Sequence, residues 1–187
     1  MKIKDHYLSS AIQNPSPNFD DRTDENDISL IVIHCISLPP NQFGGDYVTD
    51  LFCNRLNPNE HEYFQGIYQL RVSAHLLIKR TGEIIQYVPF NKRAWHAGVS
   101  NYQGRERCND FSIGIELEGT EIIPYTDAQY SVLNDILQVL LDTYPRLSKQ
   151  HITGHSNIAP NRKTDPGDSF DWGRLNGVKQ FNQFILQ

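Results

Sequence analysis

The chain has 187 residues, of which 39% are apolar and 21% are charged, a composition typical of one soluble globular domain. Its 17 lysines and arginines against 22 aspartates and glutamates give a net charge of -5, which argues against a nucleic-acid-binding protein. No apolar run reaches the roughly 18 residues of a membrane span, and the N-terminus lacks the apolar stretch of a secretory signal. The three cysteines have no regular spacing, so we expect a soluble, cytoplasmic protein without a disulfide framework.

The first third of the chain predicts one buried strand and one helix. Residues 1–28 form an irregular lead-in, because residues 14–27 are rich in Pro, Asp and Asn. The apolar, β-branched run at 29–34 predicts a buried strand that ends at a histidine. Apolar residues at helical spacing predict a helix over 47–56. Residues 57–70 are too aromatic for a disordered linker, and we expect a loop packed on the body and bordering a cleft.

The middle of the chain predicts a hairpin followed by a single strand. Two apolar stretches on either side of Gly82 are typical of a β-hairpin. Residues 95–110 form a long loop. Residues 111–119 alternate strictly, so apolar side chains face one way and Ser112, Gly114 and Glu116 face the other.

The last third predicts helices. Thr126 and Gln129 form a capping box, and the helix that they open runs to about Tyr144 because a proline follows. A second helix is expected at 171–185. With roughly four strands and these helices, the sequence predicts an α/β fold: a single domain of residues 1–187 with a central mixed sheet and flanking helices.

Two of the seven histidines occupy positions that suit a ligand. His34 ends a predicted buried strand directly before a Gly/Pro-rich loop, and sites often form at strand ends. His155 follows Gly154 in a predicted turn, so its ring is free of helix or strand packing. Most lone histidines are surface or hydrogen-bonded core residues.

Lys163 and Asp165 are two residues apart. Pro166 favours an extended backbone before it, so both side chains would point into one space. An exposed ion pair on a loop explains the same spacing. Combined with His34 and His155, however, Asp165 completes a zinc ligand set of two imidazoles and one carboxylate, with a fourth position open. The pair His151 and His155 is an alternative at metalloprotease spacing, but it lacks the glutamate of that motif.

Glu116 lies on the polar face of the predicted strand, beside small residues that leave room for a ligand. That face is either solvated or part of a cleft, and the pattern does not decide. In a cleft, Glu116 could act as general base and Lys163 could stabilise an oxyanion. Next to a metal that acidifies water, this arrangement predicts amide or ester hydrolysis.

Four blocks of sequence in the same order resemble one known family. They are SLIVIHCISLPPNQFGG, RVSAHLLIKRTGEIIQYVPFNKRAWHAGVS, YQGRERCNDFSIGIELEG and TGHSNIAPNRKTDPG followed by FDW. The chain resembles, over residues 15–175, the cytoplasmic 1,6-anhydro-N-acetylmuramyl-L-alanine amidases of the AmpD type. These belong to the zinc N-acetylmuramoyl-L-alanine amidases, which are related in fold to peptidoglycan recognition proteins.

The resemblance implies one zinc ion bound by His34, His155 and Asp165, with Glu116 and Lys163 catalytic. It implies cleavage of the amide between the lactyl group of anhydro-muramic acid and L-alanine, in cytoplasmic recycling of wall fragments. The family often has Asn after the first histidine. Cys35 replaces it here, and alternation turns it toward the core.

The implied substrate, an anhydro-muropeptide, carries carboxylates, for which guanidinium groups are natural partners. We expect Arg71 and Arg107 to bind them, with Arg105 as a rival, and surface solubility is the other explanation for these residues. Trp95 could stack on the sugar ring or pack in the core, and His75 is structural. We expect a monomer with neither a nucleic-acid nor a membrane partner.

Two other functions fit the same pattern. A non-catalytic peptidoglycan-binding module of this fold would need neither Glu116 nor Lys163. A zinc peptidase that acts on a different amide would need the whole set.

Overall fold

The structure, a computed structural model, describes residues 1–178. In these residues twelve strands occur: β1 (Ile3–Lys4), β2 (Tyr7–Leu8), β3 (Ile12–Gln13), β4 (Phe19–Asp21), β5 (Leu30–Ile36), β6 (Leu76–Ile78), β7 (Ile84–Gln86), β8 (Lys92–Ala94), β9 (Asn101–Tyr102), β10 (Arg105–Glu106), β11 (Ser112–Glu118) and β12 (Ile152–Gly154). The α-helices of the same residues are α1 (Tyr47–Phe52), α2 (Asp127–Thr143) and α3 (His155–Ile158). Short 3-10 helices lie at Glu62–Gly66, Cys108–Asp110, Lys149–His151 and Trp172–Arg174.

The central sheet has six strands in the order β12-β5-β11-β6-β7-β3. Strands β12, β5, β11 and β6 run parallel, β6 and β7 pair antiparallel, and β3 joins β7 in parallel. The remaining strands form three antiparallel pairs, β1 with β2, β4 with β8, and β9 with β10. A mixed sheet with helical cover confirms the predicted α/β fold of a single domain.

Helix α2 covers one face of the sheet. Leu133, Ile136 and Leu140 of the helix are fully buried in one cluster with Ile33 and Ile115 of the two central strands. Burial of each such side chain contributes roughly 1.5–3 kcal/mol, so this layer supplies much of the hydrophobic stabilisation. The opposite face carries the polar side chains of β11. It is covered by loops and by α1, whose Leu51 and Phe52 are buried in one cluster with Leu77 and Ile85 of the sheet.

The capping box predicted at the start of α2 is confirmed. The Thr126 side chain accepts a hydrogen bond from the Gln129 backbone N–H at 3.1 Å, and the Gln129 side chain accepts one from the Thr126 N–H at 3.1 Å. The helix ends at Thr143, two residues before Pro145, as the sequence indicates. The hairpin around Gly82 is also confirmed, because β6 and β7 pair antiparallel on either side of it.

The strand count and the lead-in differ from prediction. The main sheet has six strands rather than roughly four, since β3 and β12 are too short, at two and three residues, to give a readable alternation. The lead-in contains β1 to β4, and β3 is an edge strand of the main sheet. Pairing with a neighbouring strand, rather than local propensity, makes these segments extended.

Three further boundaries differ from the sequence expectations. Helix α1 ends at Phe52 instead of 56, because Asn54 adopts the left-handed conformation (φ 59°). The loop 95–110 contains the β9–β10 hairpin. Of the helix expected at 171–185, only the 3-10 turn Trp172–Arg174 is present up to residue 178, and the rest of that segment lies outside the described residues. No helix in residues 1–178 is long and apolar enough to cross a bilayer.

Candidate metal centre and its cleft

Parallel register brings the polar residues of separate segments to one edge of the sheet. Glu116 of β11 pairs with His34 of β5, so the two side chains leave adjacent strands on the same face. Gly154 of β12 pairs with Ile33, which places His155 beside His34. His155 starts helix α3 rather than occupying a turn free of helix packing, so that expectation was wrong. The site therefore lies at the carboxyl ends of β12, β5 and β11.

Three side-chain atoms converge at this edge. His34 Nδ1 lies 3.0 Å from His155 Nδ1, and each nitrogen lies 3.1 Å from Asp165 Oδ2. All three residues are buried. Two imidazole nitrogens and a carboxylate oxygen, taken from distant parts of the chain, form a group that could hold a metal ion.

The hydrogen bonds of His155 indicate that this group suits a cation. Its Nε2 lies 3.1 Å from the Ala97 carbonyl oxygen, which can only accept, so Nε2 carries the proton and donates it. In the neutral form of the ring, the form that binds metals, Nδ1 then has a lone pair that faces the Asp165 carboxylate. Two acceptors 3.1 Å apart repel unless a proton or a metal ion lies between them. The residues present thus fit the metal that the sequence analysis predicted.

The protonation states also favour a metal. Burial lowers the pKa of His34 to about 4, so its imidazole is neutral at pH 7. Burial by itself would raise the pKa of Asp165, but the adjacent imidazoles of His155 and His34 outweigh it and hold that pKa below its ordinary value. Neutral imidazoles with an ionised carboxylate are the states in which these side chains bind metals.

A cleft of about 580 Å³ opens beside the three ligand atoms. Glu116 lines it at 9% exposure, and its Oε2 has no hydrogen-bond partner among the described residues. Burial raises the pKa of Glu116 well above its ordinary value; the Asp165 charge raises it further, and Lys163 opposes both. The polar face of β11 is therefore cleft rather than solvent, which the sequence had left open.

Lys163 and Asp165 both line the cleft, although one is exposed and the other is buried. Between them, the Thr164 hydroxyl donates to Glu121 Oε1 at 2.9 Å. The Lys163 charge acts on Glu116 and on His34, in each case lowering the pKa. The cleft that contains the ligand group is therefore also lined by a cationic side chain.

Among the expected substrate residues, Trp95 lines the cleft, and its indole N–H donates to Asp20 at 3.2 Å. Arg71 and Arg107 do not line it. Arg71 is exposed beside Asn54 and the Gln69 carbonyl, and Arg107 is exposed beside Asp110. The rival Arg105 lies over the Phe111 ring at 3.7 Å, also outside the cleft.

A sequence profile of the N-acetylmuramoyl-L-alanine amidase family (Amidase_2) matches residues 24–168, most of the chain. The chain belongs to this amidase family. The 1,6-anhydro-N-acetylmuramyl-L-alanine amidase AmpD of Citrobacter freundii is 58% identical over 178 residues, which are 95% of each chain. A crystal structure of a selenomethionine AmpD derivative superposes with a TM-score of 0.91 at 59% identity, over 94% of this chain and 97% of that one.

A more distant member of the family has been solved with a ligand. It is the amidase AmiD of Escherichia coli in complex with anhydro-N-acetylmuramic acid-L-Ala-D-γ-Glu-L-Lys. It is 26% identical, with a TM-score of 0.57 over 93% of this chain and 63% of that chain.

The departure of this amidase at Cys35 leaves the ligand group intact. The Cys35 side chain is half-buried, packs against the core on the α2 side and is not one of the three converging residues. Burial raises the pKa of its thiol to about 12, so it stays protonated at neutral pH and does not act as a thiolate ligand.

Two other histidines of the amidase lie apart from the ligand group. His151, the rival ligand, bonds to the Tyr102 hydroxyl at 3.2 Å. His75 is fully buried: its Nε2 donates to the Lys92 carbonyl at 3.0 Å, and its Nδ1 accepts from the Gly114 N–H at 3.0 Å. The latter is a structural histidine, as expected.

Sequence reasoning missed several residues of the site. Arg162 and Glu121 line the cleft, and neither was among the expected site residues. The 57–70 loop, in contrast, borders the cleft as predicted, through Tyr63, Ile67 and Leu70. His96 lies against the sheet, and a Cβ added at Gly114 would lie 2.4 Å from its Cγ. The small residues beside Glu116 therefore make room for His96 rather than for a ligand, which corrects that inference. In the sequence, His96 was only one of seven histidines, and its neighbours gave no pattern that predicts a role.

Proposed function

We propose that the protein is a zinc-dependent amidase that hydrolyses the bond between the lactyl group of 1,6-anhydro-N-acetylmuramic acid and L-alanine of the stem peptide. The observation that carries this proposal is the convergence of His34, His155 and Asp165 beside the unpartnered Glu116 in one cleft. The names of relatives that match 95% of the chain, and of a neighbour solved with an anhydro-muramyl peptide, support the substrate.

The ligands of the proposed zinc ion are His34 Nδ1, His155 Nδ1 and Asp165 Oδ2. This donor set is one that zinc prefers, and three protein ligands leave a coordination position for catalysis. When bound, zinc supplies a Lewis acid that polarises the amide carbonyl and makes water acidic enough to lose a proton near pH 7.

Glu116 is the proposed proton carrier. Its carboxylate takes a proton from the attacking water, whose oxygen forms a bond to the lactyl carbonyl carbon. As the carbon–nitrogen bond breaks, Glu116 returns that proton to the amine of L-alanine. A free carboxylate oxygen is available for both transfers, because Oε2 has no partner in the described residues. The products are a free lactyl carboxylic acid and a peptide with a free N-terminus.

Lys163 is the proposed oxyanion stabiliser. The carbonyl oxygen gains negative charge as water adds, and the ammonium group of Lys163, which lines the cleft, stabilises that charge. Glu121 and Asp165 nearby would otherwise make the cleft unfavourable for a developing anion. An ammonium ion here therefore stabilises the transition state more than the ground state, and this difference lowers the activation barrier.

In the same proposal, Trp95 stacks on the sugar inside the cleft. Arg71 and Arg107, with Arg105 as the rival, bind stem-peptide carboxylates beyond it, since all three are surface groups. The proposed setting is cytoplasmic recycling of wall fragments by a monomer. Three cysteines without a disulfide suit a reducing compartment.

Product analysis tests the proposal. Purified protein is incubated with anhydro-muropeptides and with reduced muropeptides, with and without chelator, and the products are identified by mass spectrometry. We expect about one zinc per chain and release of intact stem peptide plus anhydro-sugar, lost on chelation and restored by zinc. Cleavage only within the peptide would instead indicate a zinc peptidase. Binding without turnover in the zinc-loaded protein would indicate a binding module.

A further inference from the structure

His96 is a partly buried imidazole that connects a proposed zinc ligand to strand β11. Its Nδ1 lies 2.9 Å from His34 Nε2, the ring nitrogen that faces away from the ligand group. Its Nε2 lies 3.1 Å from Ser112 Oγ on strand β11. Ser112 Oγ in turn lies 2.6 Å from the Cys108 carbonyl oxygen. The four groups form one continuous chain of hydrogen bonds.

The direction of every proton in this chain follows from its far end. The Cys108 carbonyl can only accept, so the Ser112 hydroxyl donates to it. The single hydroxyl proton is then committed, and Ser112 Oγ must accept from the N–H at Nε2 of His96. A neutral imidazole that carries its proton on Nε2 has an acceptor at Nδ1, and in His96 that acceptor lies 2.9 Å from His34 Nε2. His34 therefore donates from Nε2, and its Nδ1 lone pair faces His155 and Asp165.

The backbone of strand β11 fits the His96 ring closely. A Cβ at Gly114 would meet three ring atoms of His96 at 2.4 to 2.6 Å. Gly114 does not have a positive φ in this structure. A glycine at this position of the strand is therefore explained by the space that the imidazole occupies, and not by backbone conformation.

The same short segment also supports the second imidazole. Ala97, the residue after His96, provides the carbonyl that accepts from His155 Nε2. The segment is fixed by Asn109, whose Oδ1 accepts from the backbone N–H of His96 at 3.2 Å and of Ala97 at 2.8 Å. His96 and Ala97 thus orient the imidazoles of His34 and His155 so that both Nδ1 atoms face the proposed zinc position.

We propose that His96 is a positioning residue for metal binding: held by Ser112 and by the space at Gly114, it fixes the tautomer and ring orientation of His34. This inference rests on the proposed zinc site. Partners of this kind raise the basicity of a ligating imidazole and orient it, and their loss typically weakens metal binding 10- to 100-fold.

Three variants test the assignment by zinc affinity, measured by competition with a chelator of known affinity. His96→Phe keeps a ring but removes both nitrogens, and we expect the zinc Kd to rise about 10- to 100-fold. His96→Asn retains an acceptor where Nδ1 was, and it should recover most of the lost affinity. His151→Gln is the control, because His151 is an imidazole outside the ligand group that bonds to the Tyr102 hydroxyl. Its Kd should stay within about threefold of wild type.

A second measurement needs no variant. Long-range nitrogen–proton correlation spectra of the zinc-loaded wild-type protein identify which imidazole nitrogen carries hydrogen. We expect His34 protonated at Nε2 and His96 protonated at Nε2. A proton on Nδ1 of either ring would overturn the inference even if His96→Phe did not fold.

The two proposals fail in different ways. Wild-type protein that does not bind zinc stoichiometrically contradicts the proposed function. Wild-type protein that binds zinc tightly, together with a folded His96→Phe variant of equal affinity, leaves the function standing and removes the positioning role.

Discussion

Glu116 and Glu118 are two carboxylates on the same face of β11 with opposite roles. Glu118 accepts from the Gly44 N–H at 2.6 Å and from the Arg80 N–H at 3.0 Å, and so anchors two loops. Glu116 has an oxygen without a partner in the described part of the chain. Burying an unpaired carboxylate is unfavourable for stability, so its presence is explained by chemistry in the cleft rather than by folding.

This contrast predicts opposite effects of the same substitution. Glu116→Gln should lower kcat by about 10²- to 10⁴-fold while zinc still binds, because it removes the proton carrier. In chelator-treated protein, the pKa of Glu116 is higher in the folded chain than in the unfolded chain. As pH rises above about 4.5, the unfolded chain loses this proton first, and the free energy of unfolding decreases. The Tm of Glu116→Gln should therefore exceed that of wild type at pH 7 and match it at pH 4.5. Glu118→Gln, the matched control, should lower the Tm at pH 7. Near-full turnover by Glu116→Gln would refute the assigned role.

We expect the free energy of unfolding to decrease in acid because of the buried His75. Burial, then the charge of Arg22, whose Nη2 lies 3.2 Å away, lowers the pKa of His75 to about 3. Between about pH 6.5 and 3 the unfolded chain binds a proton that the folded chain does not. The contribution of neutral His75 to the free energy of unfolding is therefore complete above pH 6.5. It decreases by at most about 1.4 kcal/mol per pH unit as pH drops toward 3.

Urea denaturation of zinc-free protein from pH 7 to pH 4 measures this effect. His75→Gln keeps a donor and an acceptor but does not titrate. As pH falls, its free energy of unfolding should decrease less steeply than that of wild type, by up to the slope of one proton, about 1.4 kcal/mol per pH unit. Parallel curves for the two proteins would show that His75 does not contribute.

At the scale of elements, the segments that pack on each face of a strand determine whether that face is core, cleft or solvent-exposed. The apolar face of β11 packs under α2, as strict alternation predicts. Its other face would be solvated in an open sheet, but the 95–110 loop lays His96 over Ser112 and Gly114, and the cleft receives Glu116. All seven residues of the strand are buried as a result.

The capping box of α2 gives a prediction at this scale. Thr126→Ala removes the hydroxyl that accepts from the Gln129 N–H and donates to the Arg80 carbonyl at 2.7 Å. We expect a loss of about 1–2 kcal/mol in the free energy of unfolding by urea denaturation. Thr143→Ala on the last turn of the same helix is the control, since its hydroxyl bonds only to the Val139 carbonyl within the described residues. It should change stability by less than about 0.5 kcal/mol.

At the scale of the whole molecule, the proposed metal site joins the first long strand to the loop after α3. His34, His155 and Asp165 meet across 131 residues of sequence separation. A ligand that binds only the folded chain stabilises it by mass action. Metal binding should therefore be visible in global stability as well as in activity.

Thermal denaturation with and without zinc tests this coupling. At free zinc about 100-fold above Kd the stabilisation is about 2.7 kcal/mol, and at about 2–4 °C per kcal/mol the Tm should rise by about 5–10 °C. Asp165→Ala should remove most of the rise, whereas Arg71→Ala, outside the cleft, should retain it. An equal rise in Asp165→Ala would place the zinc elsewhere.

The sequence by itself determined the features that depend on short-range chemistry. The Thr126 capping box and the residues after it specify α2, alternation specifies β11, and the four motif blocks identify the family. Ligand candidates at 34, 155 and 165 followed from residue type and from the loops beside them.

Only the tertiary structure decided which surfaces are covered. It put Glu116 in a cleft, seated His96 behind His34, and left Arg71 and Arg107 outside. Propensity and periodicity act over a few residues, whereas burial depends on which distant segment packs on a given face. Residues 34 and 96, or 96 and 112, carry no local signal of their contact, because chain folding and not spacing brings them together.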